Sequence, residues 1–194
     1  MNILLSVLLL LAPAPVKTEH GRFNIIKEGR NVGTDEFTVS RHDSNYVFEG
    51  KTTIGGMTMT SRMEVTEKLQ PVSYEASTPE GTMRVTVASP ISELQTVVNG
   101  ETSSADFRFP EGAVILDNNL FDHYLILMYR VHAGETKFPV FVPQDRSVGS
   151  ATVRITGPRT YDLEIGEVRM QATVDNDGTL TKLVVPAAKV VVER

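Results

Sequence analysis

Turn signals fall about every ten residues from His20 to the end of this chain, and the segments between them alternate apolar with polar side chains. The turns include "KEGRN" at 27–31, "GG" at 55–56, "PEG" at 79–81 and "NG" at 99–100. Further along come "PEG" at 110–112, "HAGE" at 132–135, "TGPR" at 156–159 and "DNDG" at 175–178. Asn-Gly and Asp-Gly supply the positive φ angles that two-residue hairpins need. In "MTMTSRMEV", Met57, Met59, Met63 and Val65 share one parity, and Thr58, Thr60, Arg62 and Glu64 the other. Met83, Val85 and Val87 repeat this pattern, as do Val168, Met170, Ala172 and Val174, and Tyr161, Leu163 and Ile165. Period two with one polar face means a sheet packed on one side and wet on the other. The spacing predicts about thirteen antiparallel strands.

One stretch breaks the rhythm. In "DNNLFDHYLILMYR", Leu120, Phe121, Tyr124, Leu125, Met128 and later Val131 recur at spacings of three and four, which is a helical stripe. Asp117, Asn118 and Asn119 are good N-cap residues, Asp122 and Arg130 suit the two ends of the helix dipole, and Gly134 can end the helix. "YLILMY" would also suit a buried strand by composition, but length and caps favour a helix at about 117–131. A many-stranded open sheet must bury its apolar face. One helix two-thirds along a β chain predicts a single curved antiparallel meander, a half-barrel, with the helix on its concave side. No linker-like or low-complexity segment divides the chain, so residues 17–194 read as one mainly β domain.

Residues 1–16 read as an export signal. Ile3–Ala12 is apolar except for Ser6. Those ten residues, at about 1.5 Å each, are too short for a bilayer core of about 30 Å but suit a signal h-region. The alternative is an N-terminal buried strand. "APA" at 12–14 offers a small-residue cleavage site, although Pro15 after it is a poor substrate feature. The expected start of the mature chain therefore lies between about Ala14 and His20. With the signal removed, no membrane-spanning segment is expected, and the location is the periplasm or cell envelope.

Composition narrows the chemistry. Net charge is −5 with no basic run, which argues against nucleic acid. There is no cysteine, so disulfides, thiolate metal sites and a cysteine nucleophile are excluded. The histidines, His20, His42, His123 and His132, form no metal-binding spacing, and His123 reads as a partly buried or capping residue. "DNDG" lacks the remaining calcium-loop ligands and has Pro186 where the closing Glu would stand, so it reads as a hairpin turn. No nucleophile elbow, Walker loop or dinucleotide fingerprint is present. Acid pairs such as Asp35 with Glu36, and Glu64 with Glu67, are placed on polar strand faces or near turns. No catalytic residue, metal or cofactor is expected.

Six methionines besides Met1 lie at apolar positions, five on strands and Met128 on the helix. Methionine adapts to irregular shapes and is over-used at hydrophobic binding surfaces, though it also fills ordinary cores. The candidate lining of an apolar site is Met57, Met59, Met63, Met83, Phe121, Leu125, Met128 and Met170.

The segments "LDNNLFDHY" at 116–124, "FPVFVPQ" at 138–144 and "VDNDGTLTKLVVP" at 174–186, followed by "KVVVER", resemble an uncharacterised family of bacterial cell-envelope β proteins. That family is similar in plan to the lipoprotein localisation factors, whose unclosed barrel carries helices over a hydrophobic cavity. The resemblance covers roughly His20 to Arg194 as a pattern and carries no individual binding residue across. It implies a non-enzymatic exported protein holding a lipid or other apolar molecule between sheet and helix. The alternative is a structural or protein-interaction module with a filled core, serving another envelope protein.

Overall fold

The computed structural model describes residues 16–194. The export segment lies outside these residues, apart from Val16. Eight strands follow one another as hairpins: β1 (Glu19–Lys27), β2 (Arg30–His42), β3 (Asn45–Ile54), β4 (Met57–Val65), β5 (Pro71–Thr78), β6 (Gly81–Thr86), β7 (Ser92–Val98) and β8 (Glu101–Phe107). Then come β9 (Val114–Ile115), the helix α1 (His123–His132) and β10 (Lys137–Val142). The chain ends with β11 (Ser147–Gly157), β12 (Thr160–Ile165), β13 (Val168–Val174), β14 (Leu180–Val185) and β15 (Val190–Glu193).

All fifteen strands form one sheet, ordered β8 to β1 and then β15 down to β9. Every pairing is antiparallel except β9 with β10, whose parallel crossover contains α1. The first and last strands meet in the middle, with Ile25 opposite Val192. Strand number exceeds the expectation because β9 and β15, of two and four residues, are too short to display alternation.

The connection from β8 to β9 forces the curl. These strands are the two edges of the sheet. Laid flat, fifteen strands would put their edges roughly 65 Å apart at about 4.8 Å per step. The linker, 108–113, reaches at most about 25 Å when fully extended. The sheet therefore has to bend until its edges approach. Phe107 at the end of β8 stacks on Phe141 of β10 at 4.8 Å between ring centroids, and Phe109 closes the trio. The two edges do not pair, so the barrel stays unclosed.

Turn chemistry explains the hairpins. Asn99 and Gly100 both have positive φ, 52° and 81°, as the β7–β8 two-residue turn requires. At the β13–β14 turn, Asp175 Oδ1 accepts from the N–H groups of Asp177 (3.0 Å) and Thr179 (2.9 Å), an Asx turn.

Helix α1 starts later than the stripe implied. Its N-cap is Asp122, and residues 117–122 form an irregular leader over the sheet. Gly134, at φ 100°, ends it as expected, donating to the Val131 carbonyl at 2.9 Å. The helix is not one-sided: His123 and Leu125–Val131 are all buried. It is enclosed by curved sheet on several sides, the condition under which a helix is apolar nearly all round. Its last turn is tied down by Arg130. The buried guanidinium makes paired bonds to Glu135 (3.1 and 2.6 Å), donates to the Gly112 carbonyl at 2.9 Å and lies over Phe138.

Candidate functional site

The concave face is organised in rows running across the strands. One row is bulky: Val39, Phe48, Met63, Tyr74, Val85 and Leu94 stand opposite one another in turn. The adjacent row is small at its centre: Phe37 faces Gly50, Gly50 faces Ser61, Ser61 faces Ala76, and Ala76 faces Met83. The dip at Gly50, Ser61 and Ala76 makes a trough, and the leader of α1 lies in it.

A buried polar cluster fixes that leader. Asp35 Oδ2 accepts from the Asp122 N–H at 2.8 Å, and its Oδ1 accepts from the Thr52 hydroxyl at 3.0 Å. A carboxylate from β2 thus caps the helix that Asp122's own side chain leaves uncapped. The Asp122 side chain instead points into the trough, where Oδ2 accepts from Ser61 at 3.3 Å. A Cβ on Gly50 would stand 2.6 Å from Asp122 Cγ, so only glycine leaves room there. Asp117 accepts from the Tyr74 hydroxyl, and its own N–H donates to His123 Nδ1 at 3.1 Å. That bond places the neutral imidazole's proton on Nε2. His123 also meets Tyr74 edge-on at 5.2 Å.

Burial sets the protonation states. Asp35 is fully enclosed, and desolvation followed by the neighbouring Asp122 carboxyl pushes it up to about 8. Desolvation pushes Asp122 up to about 7, and raises Asp117 despite its bond from Tyr74. The two neighbouring carboxyls titrate as a pair near neutrality. Burial holds His123 down to about 4, so it is neutral across the ordinary range. One oxygen each of Asp117 and Asp122, and Nε2 of His123, have no partner among the described residues. Three His, Asp or Glu side chains are nowhere arranged to hold a metal ion among these residues. What the cluster does chemically is hold protons and dock the leader.

Beyond the leader lies a groove of about 450 Å³. Its floor is the inner face of β4 to β7: Met59, Ala76, Thr78, Met83, Leu94, Thr96 and Val98. Its roof is two loops, with Asp117, Asn118 and Leu120 from the leader and Pro143, Gln144 and Arg146 from the β10–β11 turn. The Asn118 N–H donates to Gln144 Oε1 at 3.4 Å and joins the loops.

The structure divides the methionines expected to line one site. Met59 and Met83 line the groove. Met63, Leu125 and Met128 are each 1 % exposed and sit with buried Met170 in the filled core. Met57 is 61 % exposed at the strand end. Phe121 is half-buried against the core and is not part of the groove lining. The space between helix and sheet is thus packed, and the open volume lies past the helix N-terminus. Asp35 corrects the reading of an acid on a polar face. It shares parity with buried Phe37 and Val39, and that parity is the signal in the sequence that marks it as inward. Gln144 and Arg146 left no such signal, because turn residues carry no periodicity.

Among the described residues, no helix is long and apolar enough to cross a membrane. No family model matches the chain, and neither curated proteins nor solved structures give a match.

Proposed function

We propose that this protein is a non-enzymatic carrier or receptor for an elongated apolar molecule, such as one acyl chain of a lipid, held in the groove between β4–β7 and the two roof loops. The observation that carries this reading is the groove itself. About 450 Å³ falls within the usual range for small-molecule sites, and its floor, apolar at Met59, Ala76, Met83, Leu94 and Val98, with a polar rim that includes Glu80, Asn118, Gln144 and Arg146, suits an amphiphile. Two flexible methionines on the floor suit a ligand of irregular shape. The unclosed sheet leaves this groove open at its rim, and Ile3–Ala12 supports export to the envelope.

The test is titration with an environment-sensitive fatty-acid probe. Saturable binding is expected in the wild type. Met83→Glu puts a charge on the half-buried floor and should abolish binding without unfolding the protein, whereas Met57→Glu, on the exposed strand end, should leave it intact. Absence of saturable binding, or equal binding by Met83→Glu, contradicts the proposal. The second reading is a protein-interaction module. It is favoured by the filled core under α1 and by the edge strand β8, whose residues are mostly exposed and whose outer edge has no strand beside it among the described residues.

A further inference from the structure

The leader of α1 roofs the groove through Asp117, Asn118 and Leu120, and it is held to the sheet by acids. The groups facing this contact come from every element around it. β2 supplies Asp35, β3 supplies Thr52 and Gly50, β4 supplies Ser61, and β5 supplies Tyr74. The leader and helix supply Asp117, Asp122 and His123, and Asp145 acts on Asp117 from the β10–β11 turn. No lysine or arginine bonds to any of the three buried carboxyls among the described residues. The histidine of the cluster is held neutral by burial, and it accepts a backbone hydrogen bond at Nδ1.

An unpaired buried charge is costly, and two adjacent ones cost more. A single ionisation of the pair has support: Asp35 as carboxylate accepts from Thr52 and from the Asp122 N–H at the positive end of the helix. Both together are opposed, because the Asp122 carboxyl has only the long 3.3 Å bond from Ser61 at Oδ2, its Oδ1 is buried with no partner among the described residues, and it is pressed against Gly50. The pair has one cheap way to hold two charges, which is to bring Asp122 out into water. That movement carries residues 117–122 with it.

We propose that the Asp35–Asp122 contact is a proton-operated latch on the groove roof, which keeps the leader on the sheet while the pair holds a proton and frees it when both carboxyls ionise. The ligand consequence rests on the groove reading: an apolar molecule is retained below neutral pH and released above it. The latch itself stands on the geometry of the leader alone.

Hydrogen exchange on ligand-free protein, corrected for intrinsic rates, tests the latch at pH 5.5 and 8.5. In the wild type, amides of 117–125 should lose protection by up to about tenfold per pH unit as pH rises from about 5 to about 8, the linkage of one proton, while 126–131 and β2–β4 stay protected. Asp35→Asn keeps the shape and both bonds, since the Thr52 hydroxyl can turn to accept from the amide. It should abolish the pH dependence, and so should Asp122→Asn. If one variant does not fold, the other decides. If neither folds, the wild-type profile decides: a local loss confined to the leader supports the latch. Protection that is flat with pH, or that falls equally in wild type and variants, overturns it. Nile red, which has no titrating group in this range, reads the ligand arm. Release at pH 8.5 by the wild type but not by Asp35→Asn is expected, and equal release by both overturns the coupling. Failure of Nile red to bind at any pH overturns the groove reading and leaves the latch to the exchange result.

Discussion

Gly50→Ala is a sensitive probe of how the leader is seated. The added methyl would stand 2.6 Å from Asp122 Cγ and Oδ2 and 2.7 Å from Oδ1. Asp122 is short, buried and held on both sides, by Ser61 through its side chain and by Asp35 through its backbone. It has little freedom to turn aside. Overpacking of this kind costs about 1–3 kcal/mol. Losing the Ser61 bond adds about 0.5–1.5 kcal/mol. The expected total is about 2–4 kcal/mol, read by urea denaturation at pH 6. In an Asp122→Ala background the space is empty, and alanine in a strand is no worse than glycine. There Gly50→Ala should be near neutral, which gives a coupling energy of about 2 kcal/mol in the double-mutant cycle. Equal costs in both backgrounds would refute the seating of Asp122 over Gly50, and with it the account of the small row as a trough.

Other expectations follow from the same contacts. Stability should fall as pH rises from about 5 to 8. The folded pair binds a proton that the unfolded chain has released, and each such proton is worth about 1.4 kcal/mol per pH unit. Asp35→Asn should flatten that slope, as a urea denaturation series at fixed ionic strength would show. Leu125→Ala and Met128→Ala should each cost about 2–5 kcal/mol, because both side chains are fully enclosed. Phe121→Ala, half-buried, should cost less than the roughly 3–5 kcal/mol of a core phenylalanine. Arg130→Ala should cost about 1.5–3 kcal/mol and respond weakly to salt, since its bonds to Glu135 and the Gly112 carbonyl are shielded.

The strands were legible where one face is wet and the other dry. "MTMTSRMEV" coincides with β4, and its Met63 and Val65 are buried as the alternation requires. The helix was legible in type but not in onset. Three N-cap residues in a row, Asp117, Asn118 and Asn119, invite an early start, but the donor that decides the cap is paired by Asp35, distant in sequence on β2. Propensity cannot report a cap supplied by another element. The pairing of β1 with β15 was equally hidden, since it joins residues at opposite ends of the chain. Apolar parity marked the methionines as inward but could not separate core from groove. Met63 and Met83 share that parity. One is sealed in the core, while the other lines the groove. Only the lateral position of α1 on the sheet distinguishes them, and no local pattern encodes it.

Native mass spectrometry of gently purified protein tests the central claim most directly. The wild type is predicted to carry a lipid-sized adduct, or to acquire one with added fatty acid, and Met83→Glu is predicted to lose it while Met57→Glu retains it. Bare polypeptide mass for the wild type, even with fatty acid in excess, would contradict the claim that the groove holds an apolar molecule.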